Sequence, residues 1–500
     1  MVSSVHEGGA VDKMAGGSTT RSPRDLAFRI LDQCLEERGK TDSSRGSIMD
    51  ISDADVTTQI REDLAIPGRS PVDIDTLLDA ARVVFKHGVR MDHPRFFGFI
   101  PSPASDASWL GEILNSAYNT HAGSWMQSSG PSAVEMQLLK WMASDIVGFP
   151  PPTAGGCFVS GGSMANLTAL TVARDQKLPR FEDRPLAVIY LSQQTHSSVA
   201  KGLKVLGFHE NQIRRVACDS SFRLDVGELQ NAIAEDRKSN KIPFLVVGSC
   251  GTTNTGAIDP LTKLADLANK EGLWLHVDGA YGASALLSRS RRSLFEGLER
   301  CDSLSWDAHK WLFQTYGCGM VLVRDRKTLT SSFSVSAEYV QDAMETEETL
   351  PNFWNYGIEL TRPARAMKLW FSLQLEGLDK IERDIEHGIR LAEVAEQALG
   401  DLPDWEVSSP AQLGILCFRY RPTQESEPAD LDAVNQRISR TAIEENLAAP
   451  LTTRLKGALV LRICSIHPSL EEDEMRRVIR GLDRIARSQS LPASRNPSQV

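Results

Sequence analysis

The sequence lacks any long hydrophobic run: no stretch of its 500 residues approaches the roughly 18 consecutive apolar residues that a membrane-spanning helix needs. Positive charge is in deficit, because 55 Lys and Arg residues stand against 65 Asp and Glu residues and give a formal net charge of −10. Neither a membrane nor a nucleic acid is therefore an expected partner. Residues 1–23 have no apolar signal core, so we expect a disordered tail there.

The eight cysteines include no Cys-x-x-Cys pair, and the ten histidines include no His-x-x-x-His spacing. Zinc sites and disulfide frameworks use clustered cysteines or histidines, so we expect no metal site. Scattered thiols are typical of a reducing compartment, and we therefore expect a cytoplasmic protein. The content of 41% hydrophobic and 24% charged residues is that of an ordinary globular protein with a large core.

Short apolar runs alternate with helical segments from Gly155 onward, which predicts an α/β fold with a mainly parallel sheet. The runs expected to form its strands are Cys157–Ser160, Leu186–Leu191, Phe244–Ser249, Leu273–Val277, Ser303–Trp306 and Gly319–Val323. The helices expected around them are at 24–37, 73–90, 106–148 with an interruption at 122–131, and 362–377. Beyond about residue 380, helices alternate with the strands Leu413–Tyr420 and Ala458–Cys464, which predicts a smaller C-terminal α+β domain.

Polar or glycine-rich segments directly follow the first five of these strands. They are Gly161-Gly162-Ser163, His196, Thr252-Thr253, Asp278 and Lys310. Ligands of open α/β sheets bind beyond the carboxyl ends of the strands. We therefore expect these five groups to meet in one crevice.

Lys310 lies between a histidine and a tryptophan in the stretch Ser305–Trp311. A lysine with bulky, partly apolar neighbours can lose its proton and form a Schiff base with an aldehyde. Asp278 ends a strand that is too apolar to hold an unpaired carboxylate, and a protonated pyridine nitrogen would be a suitable partner. A lysine and an acid of this kind are the minimal protein equipment for pyridoxal phosphate (PLP) chemistry. The alternative for Asp278 is a structural aspartate that caps the following turn.

The remaining groups each have a functional and a structural interpretation. Gly161–Asn166 opens a helix and predicts either a phosphate site or a plain strand–helix turn. His196 predicts either an imidazole stacked on the cofactor ring and active in acid–base catalysis, or a histidine in a helix-entry turn. Thr253 predicts a hydrogen bond to Asp278 or to the cofactor, or a structural turn. His309 predicts a phosphate contact or simple packing.

As a set, these motifs resemble the group II PLP-dependent decarboxylases, the aromatic-L-amino-acid decarboxylase family, over residues 77–483. The motifs that carry the resemblance are His93–Phe97, Gly161–Ser163, His196–Ser198, Val277–Tyr281, His309–Trp311 and Arg362–Trp370. The resemblance implies the fold of aspartate aminotransferase, fold type I of the PLP-dependent transferases, and a homodimer with shared active sites. We accordingly expect a dimerisation segment at 24–105, a PLP-binding domain at 106–378, a small domain at 379–487 and a disordered tail at 488–500.

The resemblance also implies roles for individual residues. Lys310 resembles the Schiff-base lysine, Asp278 the pyridinium partner and His196 the ring-stacking histidine. The further cofactor contacts that it implies are Gly162, Ser163, Thr253, Ala280 and His309. The substrate contacts that it implies are Phe99, Ile100, Pro101 and Trp125, of which Trp125 is expected to reach the partner subunit's site. Mostly apolar side chains there imply decarboxylation of an aromatic or otherwise uncharged L-amino acid to an amine and CO2.

Two positions depart from the family pattern. Asp307 stands where the family often has an asparagine near the phosphate, an unfavourable place for a carboxylate that does not face away. Phe353 stands in the acidic segment 335–362, an expected mobile loop, where the family usually carries a catalytic tyrosine. Without the proton from that tyrosine, the substrate carbanion can react with O2 to give an aldehyde, ammonia and hydrogen peroxide. Tyr356, or more remotely Tyr339, could supply the proton instead.

Two other functions remain open at this point. A non-catalytic paralogue is disfavoured, because such a protein would have lost Lys310 or Asp278. An aminotransferase would need an arginine for the substrate carboxylate, and Arg462 is the one candidate, although an ion pair at the end of a strand is its more ordinary role.

Overall fold

The computed structural model describes residues 22–38, 46–66, 68–334, 350–422 and 428–490. It divides into two compact units, residues 1–89 and 90–500. Most of the tail expected at 1–23 and of the loop expected at 335–362 lies outside the described residues, as does Tyr339. At the C-terminus, where a tail was expected from residue 488, the last helix continues to Ser490.

The first unit consists of short helices and one two-stranded antiparallel pair. Its helices are Pro23–Arg38, Ala54–Gln59, the π-helical turn Ile60–Leu64 and Ile74–Lys86, and its strands are β1 (Met49–Asp50) and β2 (Gly88–Val89). Asp73 begins the Ile74–Lys86 helix, because its carboxylate accepts hydrogen bonds from the backbone N–H groups of Asp75 and Thr76. Both helices expected in this segment are present.

A seven-stranded sheet forms the centre of the second unit, in the order β3-β9-β8-β7-β6-β4-β5. Its strands are β3 (Gly155–Val159), β4 (Ala187–Ser192), β5 (Ile213–Val216), β6 (Ile242–Ser249), β7 (Trp274–Asp278), β8 (Ser303–Asp307) and β9 (Gly319–Val323). The pairs β5-β4, β4-β6, β6-β7 and β7-β8 are parallel, and β9 runs antiparallel to both of its neighbours. The predicted mainly parallel α/β fold is thus confirmed.

The central strands are long apolar runs because helices cover both faces of the sheet. Every residue of β3, β4, β7, β8 and β9 is buried. The helices of this layer are Asp106–Tyr118, Trp125–Lys140, Gly162–Lys177, Ser197–Val205, Val226–Lys238, Leu261–Glu271, Ala308–Trp311 and Lys327–Phe333, with a π-helical turn at Trp141–Ile146. Short 3-10 turns lie at Phe181–Leu186, Glu210–Gln212, Gly282–Leu287, Arg292–Phe295, Leu298–Arg300 and Phe353–Tyr356.

The C-terminal part builds a second, four-stranded antiparallel sheet with its own hydrophobic core. Its strands, in the order β10-β11-β13-β12, are β10 (Trp405–Gln412), β11 (Ile415–Tyr420), β12 (Leu451–Leu455) and β13 (Ala458–Cys464). Its helices are Leu378–Gly400, Pro428–Glu444 and Glu472–Ser490, and the Ala366–Glu376 helix before them packs on the Asp106–Tyr118 and Trp125–Lys140 helices. None of the helices in the described part of the chain combines the length and apolar character needed to span a bilayer.

Candidate active site

A cavity of about 590 Å³ opens at the carboxyl ends of β3, β4, β6, β7 and β8. The predicted residues that line it are Phe99, Ile100, Gly162, Ser163, His196, Thr253, Asp278, Ala280, His309 and Lys310. The five strand-end groups therefore do meet in one crevice, as their position after the strands predicted. Pro101 is buried next to Ile100 but does not line this cavity.

Asp278 is the last residue of β7, and its carboxylate is held on both oxygens. Oδ1 accepts hydrogen bonds from the backbone N–H of Ala280 and the hydroxyl of Ser305, both at 3.1 Å. Oδ2 accepts one from the side-chain amide of Asn166 at 3.0 Å. Burial alone would raise the pKa of Asp278, but the charge of Lys310 and these hydrogen bonds outweigh it and lower the pKa. The carboxylate is therefore ionised, and it faces the cavity.

Asp278 both caps the turn after β7 and remains able to bind a ligand in the cavity. The bond from Ala280 caps the turn after β7, while Oδ2 has one protein hydrogen bond and retains the capacity to accept another. Thr253, expected as a possible partner, is replaced in that role by Asn166 and Ser305.

Lys310 lies in the short helix Ala308–Trp311 that follows β8. Trp311 beside it is buried and stacks on Tyr281, with ring centroids 5.0 Å apart and planes 9° from parallel. The Lys310 ammonium is 3.2 Å from Oδ2 of Asp307. Tyr281 in turn accepts a hydrogen bond on its hydroxyl from the backbone N–H of Gly414, which fixes the aromatic wall behind the lysine.

Asp307 faces the cavity rather than away from it. Its Oδ2 pairs with Lys310 and lies 3.6 Å from Nε2 of His309, while its Oδ1 is buried and has no hydrogen-bond partner in the described structure. A Cβ built on Gly162 would lie 2.8 Å from this carboxylate, so the glycine is required by the close approach. The anion that departs from the family pattern therefore lies at the start of the Gly162–Lys177 helix.

His196 caps the Ser197–Val205 helix and also lines the cavity. Its Nδ1 accepts a hydrogen bond from the backbone N–H of Ser198 at 3.2 Å and lies 2.8 Å from the Ser198 hydroxyl. Burial lowers the pKa of His196, which favours the neutral imidazole. The helix-entry role and a role towards a ligand coexist in this residue.

Arg462 does not form the expected ion pair at a strand end. Its guanidinium donates hydrogen bonds to the backbone carbonyls of Phe99 at 2.6 Å, Thr253 at 2.9 Å and Asn254 at 3.3 Å. Phe99 has a left-handed backbone with φ of 51°, and this bond anchors its carbonyl. Because the guanidinium is committed to carbonyls, the residue is poorly placed to bind a substrate carboxylate as an aminotransferase arginine would.

Phe353 lies away from this cavity. It is 2% exposed and lines a second cavity of about 460 Å³ with Tyr356 and Gly155, the first residue of β3, whereas the candidate site lies at the other end of that strand. The Arg362 guanidinium covers the Phe353 ring at 5.2 Å, and the Tyr356 ring packs edge-on at 5.5 Å. Phe353 does not line the cavity of the single chain described, and its expected place in a catalytic loop stays a prediction.

Trp125 also lies outside the candidate cavity. It begins the Trp125–Lys140 helix, and its backbone N–H donates a hydrogen bond to Oδ1 of Asn352 at 2.8 Å. Its expected contact with the partner subunit's site stays a prediction.

The residues that sequence reasoning missed are Asn166, Ser198, His276 and Ser305, which surround Asp278 and His196. Asn166 could have been identified from the sequence, because it ends the Gly161–Asn166 motif and lies one helical turn after Gly162. His276 was visible by alternation, because positions 276 and 278 of β7 share a face of the sheet.

These residues fit PLP as a cofactor. Asp278 offers a free acceptor to a ring N–H, Lys310 offers an amine for covalent attachment, and the N-terminus of the Gly162–Lys177 helix offers backbone N–H groups to a phosphate. The orphaned Oδ1 of Asp307 is the one feature that does not favour an anionic group. When bound, PLP supplies an electron sink for the bond that breaks at the substrate α-carbon.

Comparison with known proteins agrees with this chemistry. Residues 58–421 match the model of the pyridoxal-dependent decarboxylase conserved domain. The chain is 39% identical to an aromatic-L-amino-acid decarboxylase of Bacillus atrophaeus over 469 residues, 94% of this chain and 96% of the relative. It is 32% identical to a phenylacetaldehyde synthase of Arabidopsis thaliana over 417 residues, 81% of this chain and 84% of the relative.

A solved structure of Oryza sativa TDC, determined with PLP and tryptamine, superimposes with a TM-score of 0.86 at 26% identity, covering 93% of this chain and 98% of that one. The family expected from the motifs, the fold and the cofactor are thereby confirmed. This chain belongs to the pyridoxal-dependent decarboxylase family and is a PLP-dependent enzyme of amino-acid metabolism.

Proposed function

We propose that this enzyme decarboxylates an aromatic L-amino acid and releases the amine. The observation that carries the substrate class is the charge of the cavity wall: among the described residues that line it, Lys310 is the one Lys or Arg, and it pairs with Asp307. A second carboxylate on an acidic substrate would therefore find no free Lys or Arg among the described lining residues of this chain. The exposed ring of Phe99, with Ile100 beside it, offers an apolar surface instead.

The residues of this chain divide the work at the reacting centre. Lys310 provides the amine that holds the cofactor, and Asp278 holds a proton on the ring nitrogen so that the ring stays cationic. His196, neutral because of its burial, presents its ring to the cavity, where it is expected to stack on the cofactor. Phe99 and Ile100 exclude water beside the substrate side chain. The Bacillus atrophaeus relative, named for aromatic amino acids, supports the same substrate class.

The test is a substrate panel with the PLP-loaded enzyme under air. Phenylalanine, tyrosine and tryptophan should release CO2 and the matching amine, whereas glutamate and aspartate should release neither. Turnover of glutamate at a rate comparable to that of the aromatic amino acids would refute the argument from the cavity charge. Lys310→Ala is the control for release that does not depend on the enzyme.

Aldehyde formation is the second candidate, and the Arabidopsis thaliana relative named phenylacetaldehyde synthase is the observation that favours it. This reaction consumes one O2 and one water per amino acid and yields aldehyde, CO2, ammonia and hydrogen peroxide. The case for it from this sequence was Phe353, which is buried outside the cavity together with Tyr356. In a homodimer with shared active sites the loop of the partner subunit could still reach the cavity, so Phe353 keeps this candidate open. The Bacillus atrophaeus relative, named as a decarboxylase, favours amine release.

Three variants separate the two products when amine, aldehyde and peroxide are measured together. Tyr339→Phe or Tyr356→Phe should raise the share of aldehyde and peroxide in whichever variant loses the phenol that donates the proton. Phe353→Tyr should leave the product ratio unchanged, because a wild type that releases amine already has its proton donor. A wild-type enzyme that releases aldehyde with equimolar peroxide, and that shifts to amine in Phe353→Tyr, would establish the second candidate instead.

The proposal also includes a homodimer in the cytoplasm. The apolar side chains that remain exposed on the Asp106–Tyr118 and Ala366–Glu376 helices support it: Leu110, Leu114, Tyr118 and Leu375. A monomer with this much exposed apolar surface would be unusual. Sedimentation of the PLP-loaded enzyme should give twice the chain mass, and Leu114→Glu should shift it towards a monomer; a wild-type monomer would exclude shared active sites.

A further inference from the structure

We propose that His276, which no substrate can touch, is a positioning residue that sets the protonation of the cofactor ring through Asn166 and Asp278. His276 is fully buried in β7 and does not line the cavity. Its Nε2 is 2.9 Å from Oδ1 of Asn166, and its Nδ1 is 2.9 Å from the hydroxyl of Ser303. Asn166 in turn donates to Asp278. This chain of contacts is called the relay below.

Asp278 at one end of the relay and Trp274 beside Ser303 at the other determine which atom donates in each hydrogen bond between them. Asp278 is ionised and accepts only, so the Asn166 amide must turn its NH2 group towards the carboxylate and its oxygen towards His276. The Asn166 oxygen then requires a proton on Nε2 of His276. At the other end, Nε1 of Trp274 donates to the Ser303 hydroxyl at 2.9 Å, which leaves the Ser303 hydrogen for Nδ1 of His276. His276 is thus neutral and protonated on Nε2.

Asn166 serves both cofactor-facing residues at once. One N–H of its amide goes to Asp278 at 3.0 Å and the other to the Ser198 hydroxyl at 2.9 Å. Ser198 holds Nδ1 of His196, at 2.8 Å from its hydroxyl. All hydrogen-bonding groups of the Asn166 side chain are therefore used, and the bond from His276 is the one that fixes it from behind.

Removal of the His276 donor would leave the Asn166 oxygen buried and unpaired, a costly state that the side chain can relieve only by moving. Such a movement weakens the bond to Asp278 and raises the pKa of that carboxylate. An Asp278 carboxylate with a higher pKa and a looser position holds a cationic ring less firmly. The structure therefore links a residue outside the cavity to the charge of the cofactor, whichever amino acid is the substrate.

The test measures PLP affinity and the pH dependence of the visible absorbance of the bound cofactor, neither of which requires turnover. His276→Leu should raise the dissociation constant for PLP about tenfold or more, the equivalent of one pKa unit or above. It should also shift the pH dependence of the absorbance. His276→Gln should behave like the wild type, because the glutamine amide can still donate to Asn166. Tyr190→Phe is the matched control: it removes a buried hydrogen bond, to Asp236 at 2.9 Å, and neither of these two residues belongs to the relay.

A double-mutant cycle with Asp278→Asn decides whether His276 acts through Asp278. If it does, His276→Leu should add little to the loss already caused by Asp278→Asn. Additive losses, an unchanged PLP affinity in a folded His276→Leu protein, or equal losses in His276→Gln and His276→Leu would each overturn the inference. The inference rests on the proposed role of Asp278, and that role fails separately if Asp278→Asn itself leaves affinity and absorbance unchanged.

Discussion

If His276 is neutral in the folded protein, the free energy of unfolding should depend on pH in a way that can be measured. Burial lowers the pKa of His276 from 6.5 to about 4. Between these two pH values the unfolded chain binds a proton that the folded chain does not, so acid favours unfolding. The contribution of His276 is fully present above its unfolded pKa and is lost as the pH falls towards the folded value. His276→Gln removes this titration but keeps a donor for Asn166.

The size of this pH effect on the free energy of unfolding follows from how far the pKa of His276 is lowered. One pKa unit corresponds to about 1.4 kcal/mol. His276 therefore loses about 2 kcal/mol of its contribution to stability when the pH falls to about 5, and about 3 kcal/mol when the pH falls below its folded pKa of about 4. Carboxylates titrate in the wild type and in the variant alike, so they cancel from the difference between the two proteins. The wild type should therefore lose about 2 kcal/mol more than His276→Gln between about pH 7.5 and pH 5.

Urea unfolding at the two pH values, with PLP at the same saturating concentration, measures this difference from the midpoints and slopes. Tyr190→Phe again serves as the control and should follow the wild type, because it changes no group that titrates in this range. If His276→Gln loses stability in parallel with the wild type, His276 accepts a proton in the folded protein at ordinary pH. The direction assigned to the relay would then be wrong.

Three further predictions concern single charged groups. Lys310→Ala should abolish the visible absorbance of bound PLP, and colour that survives would show that another residue holds the cofactor. Glu135→Gln should lower the free energy of unfolding by about 3–5 kcal/mol, because it leaves the buried guanidinium of Arg362, now 2.6 Å from Glu135, without its counter-charge; a loss below about 1 kcal/mol in urea unfolding would contradict this. Asp307→Asn should tighten PLP binding by up to about tenfold in absorbance titrations, because it removes a carboxylate with an orphaned oxygen from the expected phosphate site; weaker binding would show that the anion is useful there.

The fold was predictable where strands are buried on both faces. All six strands expected in the central sheet are present within a few residues, because helices on both sides make each strand one apolar run. The strands that were missed lie at sheet edges. β5 carries Arg214 and Arg215 in a four-residue edge strand, and β10 contains Pro410 and two serines. Both strands are more polar than the central ones, so a continuous apolar run is absent from them, whereas the edge strand β3 is fully buried and was expected.

The residues that line the cavity were predictable, because they lie at strand ends and in recognisable motifs. The residues behind them, which hold Asp278 in place, were not predictable. His276 and Asn166 are ordinary residues in a strand and a helix, 110 positions apart in the sequence, and only the packing of the Gly162–Lys177 helix on β7 brings them together. Phe353 was placed by the match of residues 352–357 to the loop in which the family carries its catalytic tyrosine. In the single chain described, its ring packs against Arg362, and its catalytic role stays a prediction.

The neutrality of His276 explains why Asp278 can serve an external cation. A protonated histidine at this position would also stabilise an ionised Asp278, but its charge would offset that of the carboxylate and would itself have to be buried. The relay uses neutral groups instead: an imidazole with its pKa lowered to about 4, the Asn166 amide and the Ser303 hydroxyl. These groups keep the carboxylate ionised and oriented without cancelling its charge. In the structure described, the charge of Lys310 lowers the pKa of Asp278. When the Lys310 amine is bound to the cofactor, the Asp278 carboxylate would be left to pair with a cationic cofactor ring.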